Sequence, residues 1–483
     1  MFDVSPIRRI PVESLIPPLA ALLVFGLACT FGWVYFDDPA YYTANPLLGE
    51  APLLTRLLSA WTVAPESNWM PLTWSVAIIA DFFFEGSARA IHIISIFTHA
   101  VSAWLIWYIV RHLGANSWLA VACACVWAVH PLRTESVAWA SSLKDVLSGC
   151  FALGMLALLA DDRRDWRNDW PAFLLFVGSL LSKQVMIAFP AALLLWDFRK
   201  TEMNLWTLAL ARAKWWAAGL GATLIALMVN HHGIKLRETA GLESAGDGVF
   251  RGLAAFGHQF QQLWIPGNFS PEYLIESATL TKAVLGALVL ISALVAVVAL
   301  LRKRGGISAW CFVAAVGIFF PLAGWTRSPM EFTADRLSYL PHFFAVAAIG
   351  LAMKNFRFTQ WVLILGAVAA SVITLVQLPS WKNGDALNQS MLQVRPGHPT
   401  ALENRGAARA GSGDLAGATE DFLAVTRSHP RRVSAWANAA RALAIKGDLQ
   451  RASLVLDEAI AIHPHRSELI DLKQTIDQSS SSP

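Results

Sequence analysis

Apolar runs of near-membrane length follow one another from Ile16 to Leu378, broken by short polar connections, and then they stop. Runs of this kind predict helices that cross a bilayer, for which about 20 residues are needed. They lie at Ile16 to Tyr35, Ile91 to Val110, Trp118 to Val129, Val146 to Leu159, Pro171 to Leu181, Val185 to Trp196, Trp215 to Val229, Thr281 to Leu301, Ser308 to Trp325, Leu337 to Met353 and Trp361 to Leu378. This predicts about eleven spans, several of them short.

From about Gly397 the sequence turns polar and alanine-rich, and positions recur at about 34 residues. Gly413 matches Gly447, Asp414 matches Asp448, Leu415 matches Leu449, Ala418 matches Ala452, and Pro396 matches Pro430 and Pro464. This is the tetratricopeptide period: small residues let paired helices approach, glycine permits the turn and proline ends the unit. Arg409 stands where a tyrosine is usual, and Glu468 to Ile476 reads as a capping helix. The predicted fold class is all-α, with a polytopic membrane domain over residues 1–380 and a short repeat domain over residues 397–478. The groove of such an array either binds a peptide or serves packing and oligomerisation.

Basic residues cluster in alternate connections: Arg8 and Arg9; Arg111 and His112; Arg163, Arg164 and Arg167; Arg199 and Lys200; Arg302, Lys303 and Arg304; Lys354 and Arg357. By the positive-inside rule these face the cytoplasm, so the N-terminus is cytoplasmic and Asp37 to Trp69, His130 to Glu135, Lys183, His231 to Glu276 and Arg327 to Arg336 face outward. An odd number of spans places the repeats outside too. The first outward loop has room for interfacial helices. Gly241 to Gly252, rich in small residues, reads either as a mobile lid or as a plain solvated connection. The stretch after Arg8 and Arg9 is long and lacks a small-residue cleavage site, which suits a retained anchor.

Composition agrees: 55% of the 483 residues are hydrophobic and 15% charged, more apolar surface than one soluble core buries. The net charge of +4 is sorted by membrane side and leaves no footprint for nucleic acid. Five cysteines within apolar runs predict neither a disulfide framework nor a metal site, and His92, His99, His231 and His232 lack a ligand set. No protein-bound metal or cofactor is expected.

Charged groups at membrane depth need a reason. Asp37 and Asp38 stand where the first run meets water, either as a solvated helix end or as acids able to take a proton from a hydroxyl. His130-Pro131-Leu132-Arg133-Thr134-Glu135 forms a compact polar turn; Lys144 adjoins Asp145, Lys183 sits between apolar runs, and Asp335-Arg336 precedes Leu337-Ser338-Tyr339. Local pairing of Arg133 with Glu135, Lys144 with Asp145 and Asp335 with Arg336 is one reading, and a snorkelling Lys183 goes with it. The other gathers Arg133, Lys144, Lys183 and Arg336 around a phosphate on the outer surface, with His130, Glu135, Asp335 and Tyr339 in support. Trp436, Asn404 and Asn438 are the acceptor candidates in the repeats.

The ordered set Phe36-Asp37-Asp38-Pro39, Asn45-Pro46, Trp69-x-Pro71-Leu72-Thr73-Trp74, His130 to Trp139, Leu143 to Ser148, Leu181-Ser182-Lys183, Trp264-Ile265-Pro266, Ser270-Pro271-x-Tyr273 and Ala334 to Pro341 resembles the transmembrane-and-tetratricopeptide (TMTC-like) proteins. The resemblance covers nearly the whole chain. Animal members are protein O-mannosyltransferases using dolichyl-phosphate mannose, and their membrane half has the GT-C glycosyltransferase fold with a catalytic acidic motif in the first external loop. The resemblance implies that Asp37 or Asp38 is the general base, that Lys144, Lys183 and Arg336 lie near the lipid phosphate, and that the repeats present an acceptor protein. The chain departs in having only about two repeats, in Leu143 where arginine is common, and in Leu337-Ser338 where a more aromatic pair stands.

The implied reaction moves one sugar from a polyprenyl-phosphate donor to a Ser or Thr hydroxyl of an exported protein. Short loops and a Trp-rich interface suit a bacterial inner membrane with periplasmic repeats. Two alternatives are a glycan or lipid acceptor, and a non-enzymatic scaffold whose repeats gather envelope proteins on the membrane. A reporter fused after Pro483 is expected to be active outside the cytoplasm; activity in the cytoplasm would overturn the placement of the repeats.

Overall fold

The computed structural model describes residues 11–65, 68–161, 169–238, 245–303, 305–325 and 331–481. Arg8, Arg9, Arg163, Arg164, Arg167 and Arg304 lie outside the described residues, as do the side chains of His231 and His232. The chain divides into two compact units, Met1–Lys382 and Asn383–Pro483.

The first unit holds α1 (Ile16–Phe25), α2 (Leu53–Thr62), α3 (Pro71–Phe84), α4 (Ala88–His112), α5 (Ser117–Ala128), α6 (Thr134–Ala138), α7 (Leu143–Ala160), α8 (Trp170–Ser182), α9 (Phe189–Lys200), α10 (Leu205–Ala211), α11 (Ala213–Glu238), α12 (Ala245–Trp264), α13 (Leu280–Leu301), α14 (Ile307–Phe319), α15 (Tyr339–Ala352) and α16 (Thr359–Gln377). Among the described residues, five continuous helical stretches are long and apolar enough to cross a membrane: Val12–Thr30, Ala88–His112, Ala140–Ala160, Leu280–Leu301 and Thr359–Trp381. Pro71–Phe84, Ser117–Ala128, Trp170–Ser182 and Ile307–Leu322 are apolar but shorter. Leu288, Ile291, Leu294 and Val295 of α13, and Val362, Leu365, Val368 and Val372 of α16, are exposed, as side chains facing lipid would be.

The first apolar run does not stay helical to Tyr35. It tightens into a 3₁₀ turn at Gly26–Thr30 and then extends, which frees residues 31–38 to return toward the core. The segment expected as a lid or open connection is helical from Ala245, the start of α12. Its Gly248 and Gly252 pack against Trp325, and glycines beyond it also serve contact. A Cβ on Gly257 would stand 1.8 Å from the Lys282 carbonyl and one on Gly286 1.9 Å from that of Leu253, so α12 and α13 meet backbone to backbone. Two short strands, β1 (Tyr273–Leu274) and β2 (Glu331–Thr333), pair antiparallel with Tyr273 opposite Thr333. Gln259 of α12 donates to Thr333 Oγ1 and to the Ala334 carbonyl, both at 3.0 Å, and so fixes the approach to Asp335.

The second unit is a run of helices, α17 (Gly384–Val394), α18 (Pro399–Gly411), α19 (Leu415–Ser428), α20 (Val433–Ile445), α21 (Leu449–Ile462) and α22 (Ser467–Ser481), each packed on its chain neighbour. The turns before α19 and α21 are built alike. Gly413 and Gly447 take φ of 89° and 88°, a left-handed conformation that costs glycine little. Asp414 and Asp448 then cap the following helices through the Gly417 and Arg451 amides at 2.9 and 3.3 Å.

Gly257→Val and Gly286→Val are each expected to destabilise the first unit by about 1–3 kcal/mol or more. Thermal unfolding in detergent checks this against Gly267→Ala, where the added Cβ meets nothing within 4 Å.

Candidate active site

The returning segment after α1 carries Asp37 and Asp38 into different surroundings. Asp38 is 1% exposed, and its carboxylate accepts from the Val34 amide at 2.9 Å, the Ser141 amide at 3.1 Å and the Ser141 hydroxyl at 2.5 Å. It thereby ties the segment to the 3₁₀ turn Ala140–Ser142 that starts α7, where a helix N-terminus favours negative charge. The Tyr42 hydroxyl adds a second tie, donating to the Ala140 carbonyl at 2.8 Å. Burial pushes the Asp38 carboxyl up to about 6, against the pull of those hydrogen bonds. Asp37 is half-buried, and its carboxylate has no hydrogen-bond partner among the described residues.

Lys144, on the first turn of α7, donates to the Ser141 carbonyl at 2.5 Å and lies 4.2 Å from the centre of the Tyr41 ring. Asp145 faces the other way and takes Lys183 at 2.5 Å. Lys183 leaves the end of α8 in an extended conformation, held by Ser148 Oγ to its own carbonyl at 3.1 Å and by Thr73 Oγ1 to the Ser182 carbonyl at 2.9 Å. Burial pulls the Lys183 ammonium down to about 8, with Asp145 opposing.

In the polar turn after α5 the His130 ring accepts the Leu132 amide at 3.3 Å, but Arg133 and Glu135 form no ion pair with each other. Glu135 forms a salt bridge with Arg336 and also accepts the Arg336 amide at 2.8 Å. Burial works against the Arg336 charge, but Glu135 and Glu331 outweigh it and hold the guanidinium above the usual arginine range. Asp335 instead accepts the Tyr273 hydroxyl at 3.1 Å, a contact that the β1–β2 pairing sets up. Arg133 is fully buried; it donates to Ser338 Oγ and lies over the Tyr339 and Trp127 rings at 5.1 and 5.5 Å. The His130 ring meets His342 with centroids 4.5 Å apart, and Tyr339 donates to or accepts from His99 Nδ1 at 2.9 Å.

The local pairs of the first reading are therefore replaced by pairs between distant segments. Side chains one or two residues apart on a helix diverge, so Lys144 and Asp145 cannot share a partner direction, nor can Arg133 and Glu135. One residue joins the halves. Trp139 has Lys144 at 5.5 Å and Arg336 at 5.2 Å from its ring centre, with Phe36 against it edge-on and Trp381 stacked. Sequence reasoning missed Trp139, Ser141 and Tyr273 as functional residues, although all three stand inside or beside the recognised runs. In the second unit Trp436 is in the core with its indole donating to the Pro430 carbonyl at 2.8 Å, Asn404 donates to Asn388 at 3.1 Å, and Asn438 accepts from Arg441 at 3.2 Å.

Beside this site a cleft of about 170 Å³ runs between α12, α13, α14 and α15. Its walls are apolar, including Leu132, Phe256, Phe260, Phe312 and Phe319, and Ser338 and His342 also line it.

No family model and no solved structure matches the chain. It is similar to two curated proteins: 27% identical over 167 residues to the protein O-mannosyl-transferase Tmtc1 of Drosophila melanogaster, covering 32% of this chain and 19% of that protein, and 23% identical over 192 residues to the protein O-mannosyl-transferase F38B6.6 of Caenorhabditis elegans, covering 38% and 28%. The matched stretch is thus under a third of either relative's length.

The raised Asp38 carboxyl has a sign that can be measured. The folded chain holds this proton more tightly than the unfolded chain, so stability from this group is highest at low pH and falls as pH rises from about 4 to about 6. Asp38→Asn is expected to remove that fall, worth about 2–3 kcal/mol. Unfolding temperature against pH for wild type and variant checks it, and parallel curves would refute it.

Proposed function

We propose that this protein is a membrane glycosyltransferase of the GT-C type that moves one sugar from a polyprenyl-phosphate donor to a Ser or Thr hydroxyl of an exported protein. The observation that carries the reading is the division of labour between the two aspartates. Asp38 is spent on holding the segment, while Asp37 keeps an accessible carboxylate beside Lys144. The similarity to two protein O-mannosyl-transferases supports the reaction class.

In this reading Asp37 takes the acceptor hydroxyl proton as the oxygen attacks the anomeric carbon from the face opposite the phosphate. The bond from that carbon to the phosphate oxygen breaks, its electrons leave with the polyprenyl phosphate, and the sugar inverts. Lys144, Lys183 and Arg336 stabilise the departing phosphate. Trp139 sets the spacing of Lys144 and Arg336, and Arg133 with Ser338 lies toward the apolar cleft, which has the shape and lining for an isoprenoid tail. No metal is assigned a role. We read the paired helices of the second unit as tetratricopeptide repeats that present the acceptor outside a bacterial inner membrane. A glycan or lipid acceptor is the second reading, favoured by Trp436 and Asn404 being engaged within their own unit.

Asp37→Asn is expected to lower turnover by about 10²–10⁴-fold in a chain that folds and still binds donor. Mass spectrometry of envelope proteins from cells carrying the intact gene, a deletion or Asp37→Asn should show a hexose-type mass lost from defined peptides in the latter two. Unchanged peptides with an altered glycan or lipid would select the second acceptor, and no change of either kind would refute the transferase.

A further inference from the structure

A second cavity, of about 310 Å³, lies against the segment that bears the aspartates. This is at the lower end of the ~300–1,000 Å³ typical of small-molecule sites. Trp33, Tyr42 and Thr43 contribute from that segment, and Asp81, Gly86 and Ser87 from the end of α3 and the turn into α4. None of Asp37, Lys144, Lys183 or Arg336 lines it. Tyr42 belongs to both places: its ring lines the cavity and its hydroxyl is committed to the Ala140 carbonyl next to Ser141.

The lining has a definite chemistry. The Trp33 and Tyr42 rings stack on one another with centroids 4.6 Å apart and planes 20° apart, so each holds the other in place in the lining. Asp81 is anchored from below by buried Arg56, which takes its Oδ2 and also donates to the Leu47 carbonyl at 3.0 Å. The other oxygen, Oδ1, reaches the lining at Gly86, where it would stand 3.4 Å from an added Cβ. The cavity therefore offers an aromatic surface, a fixed carboxylate acceptor and the hydroxyls of Thr43 and Ser87. Arg56 already balances the Asp81 charge, which gives a cationic ligand little net attraction, and the carboxylate disfavours an anionic one. A neutral ring with apolar C–H faces and a rim of hydroxyls fits: the faces suit the aromatic surface and a hydroxyl can donate to Asp81.

We propose that this cavity binds a single pyranose ring, at a place separate from the donor sugar. The ring comes either from a free saccharide or from a sugar already carried by the acceptor. The assignment stands on the cavity alone and does not need the transfer reaction proposed above.

Saturation-transfer-difference NMR on the full-length protein in nanodiscs, with no polyprenyl donor present, tests it. The probes are methyl α-D-mannopyranoside, methyl β-D-glucopyranoside and a synthetic mannosyl-threonine peptide. Saturable transfer to ring C–H protons of at least one probe is expected, weakened at least fivefold by Trp33→Ala and by Thr43→Val and kept by Trp33→Phe and by Asp37→Asn. Binding of a methyl glycoside makes free sugar sufficient, and binding of the peptide alone makes the acceptor the source; both support the site. If Trp33→Ala does not fold, Thr43→Val against Trp33→Phe decides. No saturable transfer from any probe to folded wild type, or transfer lost in Asp37→Asn and untouched by Thr43→Val, overturns the proposal. With donor absent, an inactive transferase would leave this result unchanged, so the two proposals fail separately.

Discussion

A cation in a low-dielectric surrounding is tolerated only beside an anion, a carbonyl or the face of an aromatic ring, and the candidate site of the first unit is organised by that requirement. Arg336 meets Glu135, Lys183 meets Asp145, Lys144 meets a carbonyl and two rings, and Arg133 lies over two rings. The two ion pairs and the Lys144–Tyr41 and Arg133–Tyr339 contacts join segments far apart in the chain, whereas Lys144 with Ser141 and Trp139, and Arg133 with Trp127, are local. The α5–α6 turn is locked to the start of α15, α7 to the end of α8, and the segment after α1 to the start of α7. Losing one partner would leave a buried charge uncompensated, which costs about 3–5 kcal/mol. The charges therefore hold these segments together.

How much of this was legible depended on whether the signal was periodic or spatial. The apolar runs and the 34-residue repeat are one-dimensional patterns, and the helices α4, α7, α13 and α16 and the matching turns at Gly413 and Gly447 follow them closely. The residues gathered at the site were also legible as a set, because each interrupts or borders an apolar run. Their pairing was not. Proximity in sequence suggested Arg133 with Glu135 and Lys144 with Asp145, yet helical geometry sends neighbours to different sides. Trp139 was invisible as a hub for the same reason: only the fold brings Lys144 and Arg336 to its ring. Gly241 to Gly252 reads from composition as a lid or a solvated connection, whereas Gly248 lies against the Trp325 carbonyl and Gly252 against the Trp325 ring.

The difference between Asp37 and Asp38 is the clearest case of information that composition cannot hold. The two are adjacent and chemically alike. The chain bends at Asp38-Pro39, the Tyr41 amide returns to the Asp37 carbonyl at 3.0 Å, and the two side chains leave in different directions. One meets three donors and the other meets none among the described residues. Two ionised carboxylates side by side would repel in this surrounding, and committing Asp38 to fixed donors lets Asp37 remain the accessible one.

The cations divide in the same way, and in the proposed reaction the division follows the movement of charge. A sugar phosphodiester carries one negative charge, and breaking its glycosidic bond leaves a monoester phosphate that is more negative. A cation therefore contributes to rate only if its attraction grows as that bond breaks. Arg336 and Lys183 are already satisfied by carboxylates, so an arriving phosphate must share them. Lys144 has a neutral carbonyl and two aromatic faces as its contacts, which leaves more of its charge to respond. The proposed arrangement then assigns positioning of the donor to the two paired cations and stabilisation of the leaving phosphate chiefly to Lys144. Its carbonyl partner belongs to Ser141, the residue that holds Asp38, so the group that receives the departing charge and the segment that presents the base share one anchor.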